Sequence, residues 1–295
     1  MRPAERGFLL LSSHLGDPQR KILTPAQLRN LGKRAKLLPA EDRDLTQQDL
    51  LRIGYDREMA QRILELLEGE SQLSWYLSRG KRSGCVPLTR VSQGYPQRLR
   101  SRMGLDAPGC LWAKGDVSLL EKPAVALVGS RELYENNRRF AEEAGRQAAL
   151  QGYVLVSGNA KGADRQAQEA CLRAGGSVIS VVADELESKP LIPGVLWLSE
   201  DGFDLPFSTP RALSRNRVIH SLGAVTLVAQ CSLGKGGTWD GTLKNLHHGY
   251  SPVCCFGDGS PAAQELVQRG AAAVTIEDLQ DLKALEETEP NFMGQ

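Results

Sequence analysis

Four short runs of this 295-residue chain carry glycines, cations or both in arrangements that suit phosphate binding. Glycine lets the backbone turn tightly and approach a ligand, and Arg or Lys supplies charge and donors for phosphate oxygens. Backbone N–H groups at a helix start also favour anions. The residues that we predict to bind phosphate or nucleic acid are Gly129, Ser130, Arg131, Ser157, Gly158, Lys161, Gly162, Asp164, Arg211, Arg215, Asn216, Arg217, Lys235, Gly236, Gly237 and Thr238.

The first run, Gly129-Ser130-Arg131, comes directly after a predicted strand. A glycine there permits a tight turn into the next helix, and the Arg131 guanidinium can hold a phosphate through two hydrogen bonds. The sequence GSRELY lacks the second and third glycines of the dinucleotide-binding GxGxxG pattern, and no acidic residue ends the next predicted strand. The run therefore argues against a dinucleotide cofactor. A plain turn with a solvated arginine is the alternative.

Two further runs, at residues 157–164 and 234–238, are glycine-rich loops that lead into predicted helices. Such a loop can hold an anion with its backbone N–H groups, and Lys161 and Lys235 each add a positive charge. The first of these loops resembles a P-loop only loosely, because the GK[ST] ending is missing. We expect Asp164 to order that loop by accepting backbone N–H bonds rather than to act in catalysis.

The remaining run, RALSRNR at residues 211–217, holds three arginines in the acidic half of the chain. Arg211 and Arg215 are four residues apart and would share one face of a helix. Arg215 and Arg217 are two apart and would share a face only in an extended chain. Either conformation concentrates positive charge before a predicted strand. A solvated surface is the alternative.

Predicted strands and helices alternate from residue 123 to residue 276, which indicates a mostly parallel sheet covered on both faces. The predicted strands are Ala124–Val128, Tyr153–Val156, Ser177–Ala183, Leu196–Leu198, Val225–Ala229, Val253–Phe256 and, at the edge, Ala272–Ile276. The predicted helices are Asn136–Leu150, Ala163–Arg173, Thr238–His248 and Pro261–Arg269, with Arg211–Leu222 partly helical. Ligands of such sheets bind outside the carboxyl ends of the strands, where the four runs fall.

The fold class that follows is α/β: a doubly wound, mostly parallel, Rossmann-like sheet over residues 121–285. Residues 1–80 carry helix starts at Thr24 and Thr46 and a helical pattern over Arg57–Leu67, which predicts a small helical N-terminal domain. We interpret residues 81–120 as a basic connector or extension and residues 286–295 as an acidic tail.

Net charge is only +1, yet the two halves of the chain differ. Residues 1–120 carry 20 Lys and Arg against 13 Asp and Glu, whereas residues 121–295 carry 16 against 22. Residues 71–105 hold seven cations, three interleaved Trp or Tyr and no acid, so they form either a nucleic-acid-facing stripe or a solvated connector. The charge difference between the two halves of the chain favours binding of a polyanion.

Other classes of function have little support in the sequence. The four His and six Cys form no metal-ligand spacing, and no Ser–His–Asp or Cys–His set can be assembled, so we expect no metal, no cofactor and no catalytic residues. The cysteines suit buried, reduced thiols. No apolar run approaches the roughly 20 residues that cross a bilayer, and the start of the chain lacks a signal-peptide pattern. We therefore expect a cytoplasmic protein with no membrane contact.

The motifs ALVGSR, SGNAKGAD, SRNRVI and RGAAAVTIEDL, in that order, resemble those of the DprA/Smf family of bacterial DNA-processing proteins. The resemblance covers residues 92–282, and the helical N-terminus is compatible with the SAM-like domain of many members. It implies a non-enzymatic protein that binds single-stranded DNA in transformation or recombination, loads the recombinase RecA and forms a homodimer. It places the DNA contacts on Ser130, Arg131, Lys161, Gly162, Arg215 and Arg217, with Asn216 bracing the arginines.

Three departures from the family pattern leave a second function open. Gln168 stands where the family usually has His, Ala163 where it has Ile, and KGGTWDGT replaces SGSLITA. The Gly-Gly-Thr turn is somewhat similar to the PGGxGT signature of the cytokinin-activating phosphoribohydrolase (LOG) family, whose catalytic Glu has no counterpart here. The alternative is therefore a nucleotide-binding sensor or nucleotide hydrolase of that superfamily, for example in phage defence. A small closed pocket would favour a nucleotide as the ligand, and an open basic groove reaching Arg98–Arg102 would favour a strand of DNA.

Overall fold

A computed structural model describes residues 1–39 and 43–287, with a nine-stranded sheet at its centre. The strands are β1 (Cys85–Thr89), β2 (Cys110–Lys114), β3 (Ala124–Val128), β4 (Val154–Ser157), β5 (Ser177–Val181), β6 (Val195–Glu200), β7 (Thr226–Val228), β8 (Val253–Phe256) and β9 (Ala272–Val274). They lie in the order β1-β2-β6-β5-β4-β3-β7-β8-β9. β3 to β9 are parallel, whereas β2 pairs antiparallel with both β6 and β1. The doubly wound, mostly parallel sheet is confirmed.

Helices connect and cover these strands. They are α1 (Pro3–Ser12), α2 (Pro25–Ala35), α3 (Gln47–Arg52), α4 (Arg57–Leu67), α5 (Glu70–Arg82), α6 (Gln97–Met103), α7 (Glu135–Leu150), α8 (Ala163–Arg173), α9 (Thr209–Leu222), α10 (Gly237–His248), α11 (Pro261–Gln268) and α12 (Leu282–Glu286). Thr24 and Thr46 cap α2 and α3 as predicted, each accepting a backbone N–H three residues on. The run at 211–217 is wholly helical rather than partly so.

Helices lie on both faces of the sheet because its inner strands are mostly apolar, and β3 is apolar at every position. In β3, Val125 and Leu127 point to one face and pack in one core with α7 and α8. Ala126 and Val128 point to the other face and pack in a second core with α9, α10 and α11. A strand buried on both faces reads as a continuous apolar run, as AVALV does.

The N-terminal helices divide between a core of their own and the sheet. α2, α3 and α4 surround a separate apolar cluster that includes Leu28, Leu50 and Ile63. α5 packs on the sheet, since the ring of its Tyr76 meets the ring of Trp112 in β2 edge to face with centroids 5.1 Å apart. No helix among the described residues is both long and apolar enough to span a membrane. Most of the predicted acidic tail, residues 288–295, lies outside the described residues.

Residues 81–120, interpreted above as a basic connector or extension, contribute β1 and β2 to one edge of the sheet. The sequence analysis did not predict these two strands, because their charged residues hid the strand pattern. β2 is buried at all five positions, including Lys114, whose ammonium group donates to the Glu187 carbonyl at 2.7 Å. A buried charge with its own acceptor cannot be told from a solvated one in the sequence.

Most cations of the basic stripe, residues 71–105, have hydrogen-bond or ion-pair partners within the protein. Arg79 pairs with Asp204 at 2.7 Å and with Glu187 at 2.5 Å. Backbone carbonyls accept from four more of its cations, which are Arg90, Arg98, Arg100 and Arg102. The acceptors of Arg98 and Arg102 are at the C-terminal end of α9, where a cation also complements the helix dipole. These arginines hold the fold together.

Candidate phosphate-binding site

The candidate site lies where the strand order reverses. From β3 the chain proceeds outward through β4, β5 and β6 on one side, then returns to β7 on the other side. The loops after β3 and β7 therefore diverge and leave a crevice at the carboxyl ends of the strands. The run at 129–131 follows β3 directly, and the run at 234–238 joins the loop after β7 to α10.

Backbone hydrogen bonds fix these loops against each other. The Ser130 N–H donates to the Gln230 carbonyl at 2.9 Å, which joins the loop after β3 to the loop after β7. The Thr238 hydroxyl, in the first turn of α10, donates to the Gly129 carbonyl at 2.9 Å. The first backbone N–H groups of α10 have no intrahelical acceptor, so this turn presents donors beside Gly129.

Glycines are required where the loops touch. Gly162 caps α8 with φ +89°, a backbone conformation that favours glycine, and an added Cβ would lie 2.3 Å from the Ser130 carbonyl oxygen. A Cβ on Gly129 would lie 2.4 Å from the Cβ of Ala163. The loop after β3 therefore packs directly against the start of α8, and neither Gly129 nor Gly162 has space for a side chain.

Asp164 orders the loop between β4 and α8, as the sequence analysis predicts. Its carboxylate accepts the N–H of Gly158 at 3.0 Å and of Ala160 at 3.2 Å. Burial raises the pKa of Asp164, while the nearby Arg215 and the two amides oppose that shift. The carboxylate thus serves as an internal brace and as the counter-charge of Arg215.

Arg215 is a buried cation without a direct partner. Its side chain is 9% exposed, and its guanidinium lies over Gly158, where an added Cβ would stand 1.5 Å from Nη1. Within residues 1–39 and 43–287 it makes no hydrogen bond or ion pair, and its Nε is buried without an acceptor. Burial lowers the pKa of Arg215, and Asp164 partly offsets that shift. Such a group is costly unless an anion reaches it.

These elements enclose a pocket of about 350 Å³, which we call the strand-end pocket. That volume lies at the small end of the range for ligand pockets. Its wall carries three cations against one carboxylate. Ten of the predicted residues line it, namely Gly129, Ser130, Arg131, Asp164, Arg215, Asn216, Lys235, Gly236, Gly237 and Thr238.

Six predicted residues do not line the strand-end pocket. Ser157 is fully buried and accepts a hydrogen bond from Gln168, the residue that departs from the family pattern. The other loop residues are Gly158, which lies under Arg215, and Lys161 and Gly162, which stand beside the pocket.

Two predicted arginines, Arg211 and Arg217, have internal roles instead. The Arg211 guanidinium donates to several backbone carbonyls, including that of Ala183 at 2.8 Å. Arg217 pairs with the buried Glu200 at 2.6 Å and donates to the Asp106 carbonyl. The sequence showed three arginines of one kind, but backbone carbonyls hold Arg211 and Glu200 holds Arg217, so of the three only Arg215 lines the strand-end pocket.

The sequence analysis did not predict the apolar residues or the neutral histidine that line the strand-end pocket. Phe207 and Leu213 line the strand-end pocket although they are 56% and 39% exposed, and His220 lines its floor at 1% exposure. Phe207 lies outside the four runs, and His220 sits in an apolar helical stretch. The one available signal concerned His220, because residues 212, 216 and 220 are spaced to share one face of a helix.

The fold and the site define a Rossmann-like α/β protein with a cation-lined pocket at its switch point. The sequence model of the family described as DNA recombination-mediator protein A matches residues 87–284. The match spans well over half of the chain, and the chain therefore belongs to this family.

Comparison with individual relatives supports this family assignment. The DNA processing protein DprA of Streptococcus pneumoniae is 33% identical over 190 residues, which cover 58% of this chain and 64% of that protein. Protein Smf of Escherichia coli is 28% identical over 62% of this chain and 52% of its own length. The X-ray structure of the S. pneumoniae protein superposes with a TM-score of 0.73 at 25% identity, over 94% of this chain and 97% of that one. The sequence matches thus span half to two thirds of these relatives.

Proposed function

We propose that this protein binds single-stranded DNA, with strand phosphates held in the strand-end pocket. The observation that carries the proposal is Arg215, a buried guanidinium without a hydrogen-bond partner among the described residues, at the switch point of the sheet. Arg131 and Lys235 add exposed charge at the mouth, and the first turn of α10 adds backbone donors. An anion in this pocket would complete the coordination that the protein leaves open.

A nucleic-acid strand fits the pocket better than a simple anion does. Phe207 and Leu213 expose an apolar face beside the cations, which is the combination by which proteins bind bases and phosphates of single strands. A duplex keeps its bases stacked inside and cannot present one to a pocket of about 350 Å³. The family relationship supports the same ligand, since DNA processing protein A of Helicobacter pylori, 24% identical with a TM-score of 0.56, has a single-stranded DNA binding mode.

The test is a titration of labelled single-stranded and duplex DNA between about 50 and 200 mM salt. We expect a preference for the single strand, and Arg131→Ala and Lys235→Ala should each flatten the slope of log K against log salt by about 0.7, one phosphate contact. Arg173→Ala, which removes an exposed arginine at the far end of α8, is the matched control and should leave the slope unchanged. Absence of binding at low salt would refute the proposal.

A nucleotide is the second candidate ligand, and the size of the pocket favours it. About 350 Å³ suffices for a single nucleotide, and the Gly236-Gly237-Thr238 turn lies at its edge. One experiment distinguishes the two candidate ligands. If a mononucleotide binds as tightly as a strand, and free base appears on incubation, the protein is a nucleotide hydrolase and the strand proposal fails.

We further propose the finer roles that the family resemblance implies. These are cytoplasmic location, homodimer formation, and delivery of the bound strand to RecA in transformation or recombination. Light scattering of the purified chain measures the dimer, and RecA filament assembly on strands coated with a single-strand-binding protein measures loading. A monomer at micromolar concentration, or no acceleration of assembly, would refute the respective role.

A further inference from the structure

A groove between α9 and α10 adjoins the strand-end pocket, and we call it the α9–α10 groove. Its volume is about 250 Å³. Leu213 and Asn216 line both the groove and the pocket, so the two spaces meet at these side chains. Gly241 lies at the same place, where an added Cβ would stand 3.1 Å from the Asn216 amide nitrogen. The absence of a side chain at Gly241 thus keeps the passage between the two spaces open.

The α9–α10 groove leads away from the carboxyl ends of the strands. Gly237, the first residue of α10, lines the strand-end pocket, whereas His248, the last residue of that helix, lines the groove. A helix of 12 residues is about 18 Å long at 1.5 Å per residue. Tyr250 follows the helix and lies just before β8, which begins at Val253. The far end of the groove is therefore a separate surface from the strand-end loops.

Two aromatic rings line this far end. The rings of His248 and Tyr250 stack with their centroids 5.2 Å apart and an angle of 22° between their planes. His248 is exposed, and Tyr250 is half-buried because part of it packs on the core beneath α10. That packing fixes the position of the ring. Aromatic faces of this kind hold bases of single strands with little regard to sequence.

Positive charge lies beside the rings. Lys244 is exposed and stands one helical turn before His248 on α10. Its ammonium group lies 2.8 Å from Asp240, but an exposed pair contributes little, so the lysine can turn to a phosphate at small cost. Arg217 adds a second cation, which pairs with the buried Glu200. None of the described residues that line the groove is an Asp or a Glu.

We propose that a bound DNA strand leaves the strand-end pocket through the α9–α10 groove, where a base stacks on the rings of Tyr250 and His248 and Lys244 contacts a phosphate. Two observations support this occupant, namely the combination of rings with cations and the continuity with the pocket. The proposal rests on the proposed function and extends it to a second site. Only strands that are longer than the pocket can reach that site.

The first experiment measures the affinity of oligothymidylates of about 3 to 12 nucleotides by fluorescence anisotropy. We expect the affinity of the wild type to rise with length as the strand enters the groove. Tyr250→Ala should weaken binding of the longest strand by about 5- to 150-fold, the contribution of one stacked base, and leave the shortest strand unchanged. Tyr250→Phe keeps the ring and should bind both strands as the wild type does.

The second experiment concerns the phosphate contact. Lys244→Ala should flatten the slope of log K against log salt by about 0.7 for the longest strand and leave the slope for the shortest strand unchanged. Lys283→Ala is the matched control, because this exposed lysine lies on α12, next to the end of α7 on the opposite face of the sheet. It should change neither slope.

A fluorescent base tests stacking independently of any effect on folding. 2-Aminopurine is placed at successive positions of the longest strand, and its fluorescence falls where it stacks. We expect one position at which quenching is present with the wild type and Tyr250→Phe and absent with Tyr250→Ala. Equal losses for the shortest and longest strands in Tyr250→Ala, no loss for either strand, or the same quenching in all three proteins overturns the groove as a strand path and leaves the proposed function standing. No binding of any strand refutes the proposed function itself.

Discussion

Replacing Gly158 by Ala should abolish much of the DNA binding while leaving the fold intact. The new methyl group would lie 1.5 Å from Arg215 Nη1 and 2.1 Å from its Cζ, whereas carbon contacts need about 3.5 Å. The guanidinium must therefore move by roughly 2 Å. Gly158 has no positive φ, so its backbone accepts alanine without strain. The substitution displaces one buried cation and little else.

The size of the effect follows from the contact that is lost. A hydrogen bond to a charged group contributes about 1.5–3 kcal/mol, which corresponds to about a 10- to 150-fold change in affinity. The salt slope should fall by about 0.7 because one phosphate contact disappears. Arg215→Ala should have the same effect. Since Gly158 acts only through Arg215, the double variant should bind no more weakly than either single variant.

The assay is a double-mutant cycle of strand affinity over a salt series, with thermal unfolding of each variant. Gly32→Ala is the matched control, because a methyl group there meets nothing within 4 Å and lies in α2, outside the strand-end pocket. Additive losses for Gly158→Ala and Arg215→Ala would refute the reasoning, as would wild-type affinity of Gly158→Ala.

Two further predictions concern pH. Burial and the neighbouring Glu200 raise the pKa of Asp201 to about 7, so the folding stability that this carboxyl contributes is lost as pH rises from about 4 to 7. Asp201→Asn should therefore raise the melting temperature more at pH 8 than at pH 4. An equal shift at both pH values would contradict this. The folded-state pKa of His220, about 3, lies below its unfolded value, so stability is lost as pH falls from about 6.5 toward 3, by up to about 1.4 kcal/mol per unit. Urea unfolding of His220→Leu should show a flatter acid limb than the wild type, and an unchanged limb would count against a neutral buried ring.

The sheet could be predicted because its strands are short apolar runs between turn signals. Four glycine or arginine runs at strand ends then located the site, since parallel strands place their carboxyl ends along one edge. Ten of sixteen predicted residues line the strand-end pocket. β1 and β2 could not be predicted, because Lys114 is buried in β2 with an acceptor that lies 73 residues away in the chain.

The arginine-rich run at residues 211–217 also shows what could not be predicted from the sequence. Arg211, Arg215 and Arg217 look alike in the sequence, and each carries one charge. Only the packing of α9 decides that Arg217 meets the carboxylate of Glu200, while Arg215 rests over Gly158 without one. Helical rotation of about 100° per residue separates these side chains, and the partners come from distant strands.

The sequence by itself determined the doubly wound sheet, the edge that carries the candidate site and the family, because these depend on local periodicity and on short motifs. The tertiary structure alone decided which cations remain open to a ligand. A cation is free only with respect to every group that folding brings near it. That is a property of contacts across the chain, and no stretch of sequence contains it.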